Sequence, residues 1–268
     1  MSEDWLRATS RPVKNVHIDT DVPNAARVWN ALIGGRDNFE ADRRAARQLV
    51  SVAPVMTQAA PALRAFLRRV IGYLAGDAGL RQFLQIGTGL PAAGNTHEIA
   101  QAIDPACRVV YVDNDPVVLS HVRALLRSST GDVTFLDADA NQTAALVAGA
   151  RAVLDFAEPI AIVMIGIPNL LADVDGILAD LVAAVPSGSY LALMQLTEGE
   201  DLAEAARRWN RIARTPVFLR DRATVTRWFT GLQLVEPGIV EVNRWRPAQD
   251  DPDYAVPLPL LGAIGRKP

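Results

Sequence analysis

The sequence predicts an α/β protein: a doubly wound, mostly parallel sheet preceded by a helical cap. Three observations carry that expectation. From Arg81 onward, short apolar runs alternate with segments of helical periodicity. The runs are continuously apolar rather than alternating, as strands covered on both faces are. The first run ends in a glycine-rich bend, within "FLQIGTGLPAAGNTHEIAQAI", that leads straight into a helix.

Residues 1–23 read as an arm. Helical patterns follow in "NAARVWNALIGG", in "NFEADRRAARQLV" and over residues 57–75, where Leu63, Phe66, Leu67, Val70, Ile71 and Leu74 form an i, i+3, i+4, i+7 stripe. Gly76 and Gly79 bound a turn. "RQFLQI", "RVVYVD", "DVTFLD", "PIAIVMIGI" and "SYLALMQL" then read as five strands, with helices expected between them over residues 95–103, 116–127, 142–156 and 173–185. Helices over 201–214 and 222–231 and a closing strand pair, "GIVEVNRW" and "PLLGAIGRK", complete the chain. Residues 1–79 are thus expected to form an arm and a cap or lid, and residues 80–268 a Rossmann-like domain, the two making one structural unit.

Half of the 268 residues are hydrophobic, enough for one large core. The net charge of −3 gives no pull toward nucleic acid. The single cysteine, Cys107, excludes an internal disulfide, and three scattered histidines have no ligand-like spacing, so no metal is expected. The opening "MSEDWLRATS" is charged, and no apolar run is long enough to span a membrane, so the expectation is a cytoplasmic protein. The basic stretches "RAFLRR" and "ARRWNRIAR" read as solvated helix faces, and of the tryptophans Trp5, Trp29, Trp209, Trp228 and Trp245 only Trp29 falls in the lid segment.

In a doubly wound sheet, ligands bind beyond the carboxyl ends of the strands where strand order reverses. Gly87 supplies a positive φ there, and Gly89 allows close approach to the backbone. Gly87, Gly89 and Ala92 satisfy the dinucleotide pattern G-x-G-x-x-G/A, while S-adenosylmethionine uses a similar strand–turn–helix; the glycines alone do not decide, and a tight turn without a ligand stays open too. Asp113, ending the second strand, can accept two ribose hydroxyls in either case. Asp115 before Pro116 reads as a helix cap. Asp139, after the third strand, can accept from an adenine amino group while the Ala140 N–H donates to the ring. The long helical segment before the first strand, and an ending without a second mononucleotide half, favour S-adenosylmethionine.

Nearly the whole chain resembles the S-adenosylmethionine-dependent methyltransferase family known as type 19, or domain of unknown function 574. The matching blocks are "VPNAARVWNALIGGRDNFEADRRAA", "IGTGLPAAGNTHEIAQ", "RVVYVDNDPVVLSH", "PVFLRDRATVTRWFTGLQLVEPGIVEVNRWRP" and the ending "GAIGRKP". The resemblance implies the class I methyltransferase fold, with a seven-stranded sheet whose last strand is antiparallel. It implies S-adenosylmethionine as cofactor, with contacts at Gly87, Gly89, Asp113, Asn114 and Asp139; Gln85, Ala140 and Ile167 complete the expected set. The chain departs from the family at Gln85, where an acid is usual, at Asn141 and Gln142, at Pro168 and Asn169, and at Trp29 and Asn30. Each change removes a charged or titratable group, which supports an alternative: a catalytically silent, cofactor-binding or interaction module.

Methyl transfer requires a nucleophile held in line with the methyl group at about 3–3.5 Å, so the lack of a triad or metal cluster does not argue against it. The acceptor is expected to be a small molecule above the fourth-strand end, near Asn169, with Arg36 and Asn38 of "GGRDN" reaching it from the lid. His17, Asp21, Asn24, Arg27 and Asp37 are further polar candidates, and His97 and His121 are assigned no role. No nucleic-acid or membrane partner is expected, and a homodimer is allowed.

Overall fold

The computed structural model describes residues 18–126, 132–248 and 256–268. Three helices come first: α1 (Ala25–Leu32), α2 (Glu40–Val52) and α3 (Met56–Ala75). Strand and helix then alternate through β1 (Gln82–Ile86), α4 (Thr96–Ile103), β2 (Arg108–Asp113), α5 (Pro116–Leu126), β3 (Val133–Asp137), α6 (Thr143–Ala150) and β4 (Ala161–Ile165). A 3-10 turn at Pro168–Leu170 precedes α7 (Val174–Ala184), β5 (Tyr190–Leu196), α8 (Glu200–Ile212) and α9 (Arg222–Arg227). The chain closes with β6 (Gln233–Leu234), β7 (Val240–Glu241), a second 3-10 turn at Val242–Arg244, and β8 (Leu260–Arg266).

These strands form one sheet in the order β3-β2-β1-β4-β5-β8-β6, with β7 also paired to β8. The first five are mutually parallel, and β8 runs antiparallel to β5. Strand order reverses between β1 and β4, so the loops leaving those two strands part to opposite faces and a crevice opens there. Among the described residues the sheet has eight strands rather than seven, because its edge is split: β6 pairs with the Arg266 end of β8 and β7 with the Leu261 end. The stretch "GIVEVNRW" supplies only two residues of strand before it curls into the 3-10 turn.

Both faces of the sheet are buried, which is why β1 and β4 are covered along their whole length. On one face Phe83, Val109, Val163 and Ala192 pack with the inward stripe of α3, namely Phe66, Leu67, Val70, Ile71 and Leu74. On the other, Leu84, Val110, Ile162 and Leu193 pack with Leu178 and Leu181 of α7 and Trp228. The cap and the sheet therefore share a core. Phe66 lies edge-on to Trp245 with ring centroids 5.9 Å apart, and a Cβ on Gly262 of β8 would come within 2.5 Å of the Phe66 ring, so the bare backbone of Gly262 makes room for it. No helix among the described residues is long and apolar enough to cross a membrane.

Two further expectations are revised. The helix over 142–156 stops at Ala150. Gln82 of β1 donates from Nε2 to the Asp155 carbonyl at 2.8 Å and accepts the Asp155 N–H at 2.7 Å, which takes that peptide out of a helical ladder. "RAFLRR" is not uniformly solvated: Arg69 donates to the Trp245 and Val242 carbonyls at 2.8 and 2.6 Å, and Arg64 binds the glycine-rich loop.

The cap is tied together by a buried ion pair. Arg27 Nε lies 3.2 Å from Asp42 Oδ2, with side chains 4% and 0% exposed. Asp42 also accepts the Asn24 N–H at 3.0 Å and the Phe39 N–H at 2.8 Å, while Arg27 donates to the Asp19 and Val22 carbonyls at 3.0 and 2.7 Å. One pair thus holds the start of α1, the start of α2 and the incoming chain. Breaking such a pair leaves a buried charge uncompensated, at about 3–5 kcal/mol. Asp42→Ala is expected to lower the unfolding free energy in urea by about that amount; a loss under about 1 kcal/mol, the range of exposed pairs, would mean the pair does not anchor the cap.

Candidate functional site

The carboxyl ends of β1 to β4 open onto a cavity of about 500 Å³. Its floor is the bend after β1, where Gly87 and Gly89 have φ of +76° and +63°, the left-handed region that glycine enters without cost. The Gly87 N–H donates to the Val112 carbonyl at 2.8 Å and carries the β1–β2 ladder one residue further. A Cβ on Gly87 would sit 1.7 Å from Ile167 Cγ1, on the segment leaving β4. The two loops at the switch point therefore touch through a position that only glycine fits.

Asp113, at the end of β2, faces the same cavity. Its Oδ2 accepts the Gly89 N–H at 3.1 Å and its Oδ1 the Asp115 N–H at 3.0 Å. Each carboxylate oxygen keeps a lone pair for a ligand. Burial pushes this carboxyl above the usual carboxylate range, against the pull of its backbone N–H bonds. Asp115 caps α5, accepting the Val117 N–H at 2.7 Å. Beyond β3, Asp139 uses Oδ1 to hold the Asn141 N–H at 2.9 Å and Asn141 Nδ2 at 2.8 Å, so its Oδ2 remains available. Asp139, Ala140, Asn114 and Ile167 all line the cavity.

Gln85 is buried in the cavity wall, and its Oε1 accepts the Thr96 hydroxyl. That uses one lone pair of the carbonyl, and the other lone pair and the amide NH2 can both meet a ligand. The same cavity is lined by a residue that the sequence does not single out. Arg64 of α3 lines the cavity and donates from Nη2 to the carbonyls of Ala92, Ala93 and Gly94 at 3.1, 3.0 and 3.2 Å. Burial lowers its pKa, against a weaker opposing pull from the Tyr111 and Glu98 side chains. The one available signal was position: Arg64 directly follows Leu63 at the edge of the α3 apolar stripe.

The upper wall comes from the cap and α8. Asn24, Arg27 and Trp29 line it from one side, and Trp209 and Arg214 from the other. Arg214 Nη2 pairs with Asp19 Oδ2 at 2.6 Å and joins the arm to the end of α8.

The eight residues expected at the cofactor (Gln85, Gly87, Gly89, Asp113, Asn114, Asp139, Ala140 and Ile167) all line this one cavity. The three expected at the acceptor do not. Arg36 is exposed and lines neither this cavity nor the smaller one beside it. Asn38 turns inward on its own loop, donating to Asn30 Oδ1 and the Gly35 carbonyl, both at 2.8 Å. Asn169 is carried by the 3-10 turn into the wall of an adjoining chamber of about 60 Å³, which shares Ala25, Trp29, Leu170 and Trp209 with the large cavity. Asp21 is exposed, Asp37 pairs with His121 at 3.2 Å, and His97 Nδ1 lies 2.8 Å from the buried Tyr111 hydroxyl. His17 and Trp5 lie outside the described residues.

The sequence matches a family model described as S-adenosyl methyltransferase over residues 12–268. Among solved structures, a DUF574 family protein from Streptomyces avermitilis is 38% identical, with a TM-score of 0.88 over 94% of this chain and 100% of that one. A proposed methyltransferase from Thermobifida fusca is 36% identical, with a TM-score of 0.87 over 93% and 96%. The magnesium protoporphyrin IX methyltransferase of Synechocystis, with bound S-adenosylhomocysteine, has a TM-score of 0.52 at 11% identity over 80% and 87%, a likeness of fold. No curated protein matches the sequence. A match along nearly the whole length, together with two close structural relatives, makes this chain a member of the S-adenosyl methyltransferase family, with its class I Rossmann-like fold.

Proposed function

We propose that this protein binds S-adenosylmethionine in the large cavity and directs its methyl group to a small-molecule acceptor. The observation that carries the reading is convergence: the glycine bend, Asp113 and Asp139 come from three strand ends and line one cavity. The donor set fits the group. Asp113 has a lone pair on each oxygen for the ribose hydroxyls, and Asp139 with the Ala140 N–H suits the adenine edge. Arg64 and the Gln85 amide supply cationic and neutral donors for the methionine carboxylate. Gly87, whose Cβ would strike Ile167, leaves the floor bare where the methionine part would lie.

The cofactor supplies a methyl group already activated on sulfonium. The protein's own work is then to hold and to exclude. Asp113 and Arg64 fix the two ends of the ligand. Trp29, Leu170 and Trp209, which line both the cavity and the adjoining chamber, keep water from the space between. A second reading, cofactor binding without turnover, has its own observation: Gln85 stands where the family usually has an acid, and part of its acceptor capacity is given to Thr96. A cytoplasmic location fits a small-molecule methyltransferase and is part of the proposal.

Calorimetry tests the reading. S-adenosylmethionine and S-adenosylhomocysteine should bind and NAD should not; tight binding of NAD alone would overturn it. Asp113→Asn should weaken S-adenosylhomocysteine at least ten-fold, about 1.4 kcal/mol. The sign of the pH effect follows from linkage. Ribose hydroxyls donate to the ionised carboxylate, so affinity should fall as pH drops through the raised Asp113 pKa, and the Asn variant should lose that dependence. An acid with a raised folded pKa destabilises the fold progressively as pH rises from its unfolded value to its folded one. The ligand-free Asn variant should lose that pH dependence, while one of the Gly89 and Asp115 N–H groups, left facing an NH2, lowers its stability at every pH. Unchanged affinity would remove Asp113 from the site.

Arg64→Met makes a separate prediction. It should weaken S-adenosylhomocysteine about ten-fold, in the range of a charged hydrogen bond, while leaving 5′-methylthioadenosine, which has no carboxylate, nearly unchanged. Equal loss for both ligands would mean that Arg64 acts only through the loop at Ala92–Gly94.

A further inference from the structure

The chamber beside the large cavity has a composition of its own. Its wall is aliphatic and indole, from Val28, Trp29, Leu49, Met56, Leu202 and Trp209 among others, and none of the described residues lining it is ionisable. Asn169 contributes its only side-chain amide. That residue is 1% exposed, and its Oδ1 has no hydrogen-bond partner. A buried amide oxygen without a partner carries a desolvation cost that a native fold normally avoids. The indole N–H of Trp209, which lines the same chamber, is already given to the Thr215 carbonyl at 2.8 Å.

We propose that this chamber is the seat of the methyl acceptor's apolar arm, and that the acceptor is an uncharged small molecule presenting one O–H or N–H donor to Asn169, whose Oδ1, closed off from solvent in the ligand-free chain, turns to accept it. Three features select that chemistry. A volume of about 60 Å³ limits the guest to a short carbon arm. A wall without ionisable groups cannot compensate a charge, so ammonium and carboxylate arms are excluded by desolvation. The shared residues Ala25, Trp29, Leu170 and Trp209 let the rest of the molecule continue into the large cavity. The identification of this ligand as the methyl acceptor rests on the reading that the large cavity holds S-adenosylmethionine; the chamber's chemistry does not.

The test uses the full chain labelled with methyl-¹³C methionine, because Met56 lines the chamber and reports occupancy there directly. Isopropanol and isopropylamine are titrated with and without S-adenosylhomocysteine, alongside isobutyrate as a charged control. The proposal expects isopropanol to shift the Met56 signal at every pH, isopropylamine to do so only as the pH approaches its own pKa, and isobutyrate to leave it unmoved. Amine affinity should rise about ten-fold per pH unit below the amine's own pKa, while alcohol affinity stays flat. Asn169→Leu should weaken both probes about five-fold, the measure of one neutral hydrogen bond, with a melting temperature that holds or rises. Ala205→Leu, which fills the chamber from α8, should abolish the shift by a different route. No Met56 response, a preference for the charged probe, or full binding in both variants would overturn the proposal. If the probes bind but S-adenosylhomocysteine does not, the chamber stands and the methyltransferase reading falls; the reverse outcome removes the chamber and leaves the cofactor site.

Discussion

Gly87 touches Ile167, and the rest of the site depends on that contact. A side chain at Gly87 would begin 1.7 Å from an atom of the neighbouring loop. Strands β1 and β4 are hydrogen-bonded neighbours, and the chain leaves them in opposite senses. In most sheets the loops at such a reversal simply part. Here they are brought back together over a bare peptide, which sets the depth of the cavity and turns the Gly89 N–H toward Asp113. The carboxylate and the bend then hold each other: Asp113 is kept in place by the loop it helps to shape.

The cap completes the cavity by a similar economy of charge. Arg27, Arg64 and Arg69 all donate to backbone carbonyls, so side chains from the N-terminal helices take the place of secondary structure where loops must be fixed. Arg27 is neutralised by Asp42, and the cap's geometry follows from that pair. Arg64 has no ion pair as close as that one; burial acts against its charge and Glu98 offsets only part of the cost. A positive group kept at a cost on the cavity wall makes that part of the cavity suited to an anion.

Much of this was legible in the sequence. Strands covered on both faces are continuous apolar runs, so β1 to β5 stood out, and a carboxylate ending the second run pointed to Asp113. Other features depended on contacts distant in sequence. The helix ending at Ala150 looked longer because the competitor for Asp155 is a glutamine 73 positions earlier. Arg64 looked like part of a solvated face because its partners lie on a loop that only the packing of α3 brings near. Arg36 and Asn38 looked like ligands because they form a polar cluster, yet Asn38 spends its amide on Asn30 and Gly35. Asn169 was expected at the acceptor, and what the sequence could not convey is that the 3-10 turn carries it into a separate apolar chamber.

The central claim is that the bend closed by Gly87 and Ile167 is shaped for a sulfur-bearing nucleoside. A crystal structure with S-adenosylhomocysteine tests it most directly. The account predicts the methionine part along Gly87 and Gly89, both ribose hydroxyls on Asp113 and the carboxylate within reach of Arg64. Density for the ligand elsewhere, or a ligand in this cavity that leaves Asp113 and Arg64 untouched, would contradict it.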